Sequence, residues 1–208
     1  MAGACCNHCD PQSAARAGRY RTVLWVALGV NLTMFAVEIV SGLRGGSASL
    51  LADSLDFLGD AANYGISLFV LGMNLAVRAR ASLVKAATMA VFGVGVLGSA
   101  CWHAISGVVP SAPTMGVVGA CALAANLVVA GLLFAYRSGD SNMRSVWLCT
   151  RNDALGNIAV LLAALGVLGS GSGWPDLLVA VTMAMLALTS AVHILRQATS
   201  ELRGAVEW

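Results

Sequence analysis

Asp53, Asp56 and Asp60 fall within eight residues of one another, in a stretch whose other members are mainly apolar. Asp56 and Asp60 are four apart, so on a helix they lie one above the other on a single face, with Asp53 on nearly the same stripe. A second pair, Cys149 and Asp153, has the same spacing. Three carboxylates and a thiol brought together would make a four-ligand site. That donor set suits a tetrahedral divalent ion such as zinc or cadmium better than magnesium or calcium, which take six or more oxygens. The sulfur ligand moves the preference further toward softer ions. The plainer alternative is that the four groups only hydrogen-bond helices together, but two such pairs exceed what helix packing needs.

The elements that must carry these residues are membrane helices. The 208 residues are 58% hydrophobic and 11% charged, and the mean hydropathy is +0.80. A soluble domain carries about 25% charged residues. The charged residues here gather between apolar runs, the pattern of a protein that crosses a bilayer repeatedly. Six spans are expected, near residues 22–43, 49–77, 86–109, 114–136, 143–168 and 174–194. The breaks are Gly45-Gly46-Ser47, the basic group Arg78, Arg80 and Lys85, the prolines Pro110 and Pro113, Ser138 to Ser141, and the glycine-rich 169–173. Pro175 sits at a favoured first-turn position of the last helix. The fold class is therefore an all-α integral membrane protein of six transmembrane helices. Its parts are a Cys-rich tail (1–21), a six-helix domain (22–195) and a short basic tail (196–208).

Arg16, Arg19, Arg21, Arg78, Arg80, Lys85, Arg137, Arg144, Arg196 and Arg203 fall on one side of these spans, and only Arg44 on the other. The positive-inside rule then places both termini in the cytoplasm. The net charge of +2 is too small to argue for nucleic acid. The leader lacks the order of a cleaved signal peptide, since Cys5, Cys6, His8 and Cys9 precede the apolar run. In a reducing cytosol these groups favour thiolate chemistry over a disulfide. The spacing of Cys6 and Cys9 is that of a metal-capturing pair, with incidental thiols as the other reading. Cys101 and Cys121, inside apolar spans, are expected as small buried hydrophobes.

Depth links the two pairs. At 1.5 Å per residue, Asp56 and Asp60 lie roughly 10 to 20 Å below the outer surface. Asp153 lies roughly 15 Å above the inner one, with Cys149 somewhat lower. In a core about 30 Å thick the pairs meet near mid-depth. An ionisable group at that depth marks an ion or proton path by default.

These stretches resemble a known family, the cation diffusion facilitators, which exchange divalent metals for protons. Gly46 to Asp53 is similar to the family's lead into its second helix, and Asp56 and Asp60 match its two ligand positions there. Asn142 to Leu148 resembles the start of the fifth helix, with Cys149 and Asp153 on the ligand positions usually held by His and Asp. The resemblance covers all six spans. It implies a zinc or cadmium exporter that works by alternating access and metal/proton antiport. Cysteine at 149 departs from the family and points to softer ions. The linker after Arg78 lacks the family's His- and Gly-containing segment, so no second site is expected there. The family's cytoplasmic domain is expected to be missing after the sixth span, which leaves membrane contacts to hold a homodimer.

Metal ligands must be deprotonated, so metal binding releases protons and returning protons displace metal. Asp53, Asn63 and Asn157, about one turn from the ligands, are expected to support them by hydrogen bonds or to pack helices. Glu38 is expected to bond a neighbour or relay protons. The expected partners are divalent metal ions, protons, lipid and a second copy of the chain. No cofactor is expected beyond the transported ion, and the expected location is a prokaryotic inner membrane. Two alternatives stay open, a passive metal channel and a non-transporting metal sensor. An enzyme built on Cys149 is disfavoured, because no histidine shares its span to activate the thiol.

Overall fold

A computed structural model describes residues 11–69, 75–136 and 141–204, leaving aside the side chains of 11–17, 75, 76, 78, 141–149, 151 and 152. The expected metal-capture residues Cys5, Cys6, His8 and Cys9 lie outside the described residues, and the Cys149 side chain does too. Six helices account for nearly all of the described chain, with no strand among the described residues. They are α1 (Pro11–Gly45), α2 (Ala48–Phe69), α3 (Leu75–Ser106), α4 (Ala112–Phe134), α5 (Ser141–Ser170) and α6 (Trp174–Gly204). All but α2 include a segment long and apolar enough to cross a membrane. α2 spans 22 residues, about 33 Å at helical rise, and differs from the others in carrying three aspartates. This is an all-α integral membrane protein.

Three boundaries differ from those read in the sequence. The basic group Arg78, Arg80 and Lys85 is not a break but lies inside α3. Arg and Lys are good helix formers, and Lys85 turns its ammonium to Asn63 Oδ1 on α2 instead of ending the helix. Likewise α1 already begins at Pro11 and α6 continues to Gly204, so the expected tails are in part helical extensions.

The turns follow their sequence signals. Gly46 and Gly171 adopt the left-handed conformation, with φ of +65° and +62°, that reverses the chain after α1 and α5. At the start of α4, the Ser111 side chain accepts a hydrogen bond from Thr114 N, and Pro113 occupies the first turn.

α1, α2, α5 and α4 pack in a closed ring, each against the next, while α3 and α6 pair with each other and lean on α2. α6 also touches α5, and α2 packs against α1, α3, α5 and α6. Its face is correspondingly buried from Ala48 to Leu55, with Phe57, Ala61 and Tyr64 continuing the stripe. Outward, the bundle presents Trp25, Leu43, Val91, Ile105, Leu165 and Leu178, the surface that hydrocarbon solvates. Cys101 and Cys121 belong to this exposed surface and not to the core, contrary to the sequence reading. Every apolar face of a membrane helix is stable against lipid, so hydrophobicity alone does not assign a thiol to the inside.

The end of the bundle that holds the α1–α2, α3–α4 and α5–α6 connections is tightly knit. Asp176, in the first turn of α6 and 1% exposed, accepts from Ser47 Oγ at 2.7 Å, Ala48 N at 2.8 Å and Ser49 N at 3.0 Å. It thereby satisfies backbone donors that the start of α2 leaves open, and sets a carboxylate against the positive end of that helix. Ser111 N donates to Gly45 O at 2.9 Å, tying the α1 end to the α4 start. At Gly173 a Cβ would stand 2.6 Å from Val108 O, so only glycine permits the α5–α6 turn to lie there. At the opposite end, Tyr20 and Tyr136 are 4.9 Å apart and Trp25 and Phe69 5.1 Å apart, centroid to centroid.

Candidate metal centre

The interior of the four-helix ring is polar where a membrane protein is expected to be dry. Each helix of the ring contributes. Asn31 and Glu38 come from α1, Asp53, Asp60 and Tyr64 from α2, Asn126 from α4, and Thr150 and Asn157 from α5, all of them buried. Asp56 and Asp153 are half-buried.

Asp53 is held by α5. Asn157 Nδ2 donates to Asp53 Oδ1 at 2.9 Å and to Oδ2 at 2.7 Å, and Asn157 Oδ1 accepts from Asn126 Nδ2 at 2.9 Å. The amide–amide–carboxyl chain thus runs from α4 through α5 to α2. Such buried links register helices in a setting where the hydrophobic effect gives no preference for one helix over lipid.

Asp60, 4% exposed, stands about two turns further along the same helix. Its Oδ2 accepts from the Tyr64 hydroxyl at 2.8 Å and from Thr150 Oγ1 at 3.1 Å. Asp153 of α5 comes within hydrogen-bonding reach of the Asp60 carboxyl, so the acids from the two helices do meet. Lys85 of α3 is near enough to act on the Asp60 charge. Asp56 lies against Gly156 of α5. A Cβ added there would be 3.6 Å from Asp56 Oδ2 and 3.8 Å from Asp53 Oδ1. Both are ordinary contact distances, and the tighter neighbour is Met183 Cε of α6 at 3.2 Å, so Gly156 marks how closely the acidic face of α2 packs on α5.

Glu38 of α1 faces Asp53 from the other side. It is fully buried, and neither of its carboxyl oxygens has a hydrogen-bond partner of normal geometry among the described residues. Buried polar atoms are nearly always paired, and the neighbour of this carboxyl is a second acid, Asp53.

Of the residues singled out in the sequence, Asp53, Asp56, Asp60, Asp153 and Asn157 all face the α2–α5 seam. Asn63 turns instead toward α3, where it accepts from Lys85 Nζ. Among the described residues, no three His, Cys, Asp or Glu side chains converge closely enough to hold a metal ion as they stand. Tyr64, Thr150 and Asn126 were not identified in the sequence, although each bonds to the acids directly or through one neighbour. For Tyr64 a signal was available, since it stands four residues after Asp60.

The family model for the cation efflux transmembrane domain matches residues 24–203. The chain belongs to the cation efflux family. Among its relatives, the zinc transporter ZitB of Escherichia coli (strain K12) is 26% identical over 196 residues, covering 86% of this chain and 61% of the transporter. The cadmium, cobalt and zinc/H(+)-K(+) antiporter of Bacillus subtilis (strain 168) is 24% identical over 209 residues, covering 88% of this chain and 66% of the antiporter. ZitB of Pectobacterium atrosepticum is 26% identical over 196 residues, with 86% and 60% covered. The chain therefore spans about three fifths of the length of the zinc transporters it matches. In this member of the cation efflux family, the matched region takes in every helix and all of the acids along the α2–α5 seam.

Proposed function

We propose that this chain moves divalent metal ions, zinc and cadmium foremost, out of the cytoplasm across a bacterial inner membrane in exchange for protons. The observation that carries the reading is the meeting of Asp60 and Asp153 from two helices in the interior of the four-helix ring. Two carboxyls at that range share a proton or a cation, because like charges so close in a dry interior are costly. A divalent ion seated there takes the place of what neutralised them. Family membership and relatives named as zinc and cadmium transporters support the same reading.

Asp56, Asp60, Cys149 and Asp153 are the proposed ligands. Asp56 and Asp60 come from α2, and Cys149 and Asp153 from α5. Seating an ion requires the carboxylates among these groups to draw closer than they now stand. That is a motion of α5 against α2. Cys149 would give a soft fourth donor, which favours zinc and cadmium over manganese. In the exchange cycle the site faces the cytoplasm to load and the outside to unload, where protons return to the ligands. The basic residues place both termini in the cytoplasm. A homodimer held by membrane contacts completes the arrangement. The chemistry is transport and not enzymatic turnover.

A channel would use the same ligands without needing proton return, and a sensor would bind without transport. Zinc uptake into vesicles reconstituted with the purified chain separates the three. Exchange predicts uptake that rises with an imposed pH gradient and is lost in Asp60→Ala and Asp153→Ala. Undiminished zinc and cadmium uptake in both variants would sink the assignment.

A further inference from the structure

Tyr64 and Thr150 have no part in the proposed ligand set, yet both are fully buried and both close on one oxygen of Asp60. Their own oxygens are 2.7 Å apart. With Asp60 Oδ2 they form a triangle of edges 2.7, 2.8 and 3.1 Å. Two hydroxyl hydrogens cannot fill three edges, since each hydroxyl donates once. Tyr64 donates to Asp60 Oδ2 along the 2.8 Å edge, and Thr150 Oγ1 lies within bonding distance of both the Tyr64 hydroxyl and the same carboxylate oxygen. The Thr150 hydroxyl remains close enough to take over if Tyr64 turns. Either way a hydrogen-bond donor always occupies Oδ2, and the clamp joins α2 to α5 beside the seam.

We infer that Tyr64 and Thr150 are specificity-determining positioning residues, which hold Asp60 Oδ2 so that Asp60 meets the transported ion through its other oxygen alone. The inference rests on Asp60 being a ligand, as proposed above. Its consequence is chemical. An ion satisfied by four donors accepts one oxygen from each carboxylate, as zinc does in tetrahedral sites. An ion that prefers an octahedral shell of oxygens, such as manganese, gains from every additional carboxylate oxygen it can reach. Holding Oδ2 withholds one of those oxygens. The clamp thus adds discrimination against oxygen-seeking ions to whatever the sulfur ligand supplies, and it does so without touching the ion.

The test compares manganese with zinc. Initial uptake of each ion into vesicles is measured for the wild type, Tyr64→Phe, Thr150→Val, the double variant of the two, and Thr150→Ser. The manganese-to-zinc ratio is expected to rise by roughly tenfold in the double variant, which leaves no hydroxyl on Oδ2, the scale of one hydrogen bond to a charged group. It is expected to rise by a smaller factor in either single variant, where the other hydroxyl still reaches Oδ2, and to stay at the wild-type value in Thr150→Ser, which keeps the hydroxyl. If a variant transports too slowly to measure, the same ratio is read as competitive binding of the two ions to the purified protein by equilibrium dialysis. A ratio unchanged in the double variant, with uptake or binding of the two ions lowered alike, overturns the inference and leaves Asp60 as a ligand. Wild-type zinc uptake by Asp60→Ala overturns the inference together with the reading beneath it.

Discussion

Two buried carboxylate regions share α2, and they are built in opposite ways. At the helix's start, the Asp176 carboxylate lies among donors only, taking three hydrogen bonds from Ser47, Ala48 and Ser49. One to three turns further on, Asp53, Asp56 and Asp60 are crowded with Asp153 and Glu38, and the company of Glu38 is another acid, Asp53, with no amide or hydroxyl donating to it among the described residues. The first arrangement is what a buried acid needs to be stabilising, since its lone pairs are filled and a helix N-terminus faces it. The second costs stability at every step, because acids face acids in a medium that screens little. Acids held together at such a cost, in a bundle otherwise well satisfied, mark an ion or proton path by default. The difference separates an acid that holds the fold from the acids proposed to bind the ion.

Neutralising the two regions should therefore have opposite signatures. The largest effect is expected in Asp60→Asn and Asp153→Asn, each losing zinc uptake by about 100-fold or more. That exceeds the tenfold to 100-fold that loss of a partner outside the ligand set typically costs. Their thermal unfolding in detergent should stay at or above the wild-type midpoint. A midpoint that falls along with uptake would make these residues structural and erase the contrast.

Asn157→Ala comes next. It removes both hydrogen bonds to Asp53 and breaks the link to Asn126. Zinc uptake is expected to fall by about tenfold, read in the same vesicles, while Asn126→Ala, one step further from the acid, should cost less.

Asp176→Ala inverts the pattern. Removing a buried carboxylate that accepts three bonds is expected to cost about 2–4 kcal/mol. For a chain of this size that lowers the melting midpoint by roughly 5–15 °C. Zinc uptake per folded molecule should change by only a few-fold. A midpoint equal to that of the wild type would show that the α2 start does not depend on Asp176.

The smallest effect is expected in Glu38→Gln. Replacing a buried acid that faces another acid, Asp53, by a neutral amide should raise the melting midpoint by a few degrees, on the order of 1 kcal/mol. A lowered midpoint would mean that Glu38 has a stabilising partner.

Much of the architecture was legible in the residues, because a bilayer leaves few options. Apolar runs of bilayer length between Gly45-Gly46, the Pro110–Pro113 segment and Gly171 set six helices, and the spacing of Asp56 to Asp60 marked one face of the second. What escaped has physical causes. Arg78, Arg80 and Lys85 looked like a loop because charge is rare in a span, yet at a membrane edge a helix can carry them outward, and Lys85 found Asn63. Cys101 and Cys121 read as core because they are apolar, but in lipid both faces of a helix are apolar. Tyr64 and Thr150 were passed over because a hydroxyl in a helix usually bonds its own backbone or packs. Tyr64 reaches Asp60 within α2, one turn on, while only the packing of α2 against α5 brings Thr150 there. Asp176 follows Pro175 in the first turn of α6, which says nothing of its role across the fold at the start of α2.

Proton release on metal binding tests the central claim most directly. Zinc is titrated into the purified chain in weakly buffered detergent and the pH change is followed. The wild type is expected to release protons in proportion to the zinc bound, and the Asp60→Asn, Asp153→Asn double variant to release few or none. Equal release by both proteins would contradict the account, since the protons would then come from groups other than the acids that α2 and α5 bring together.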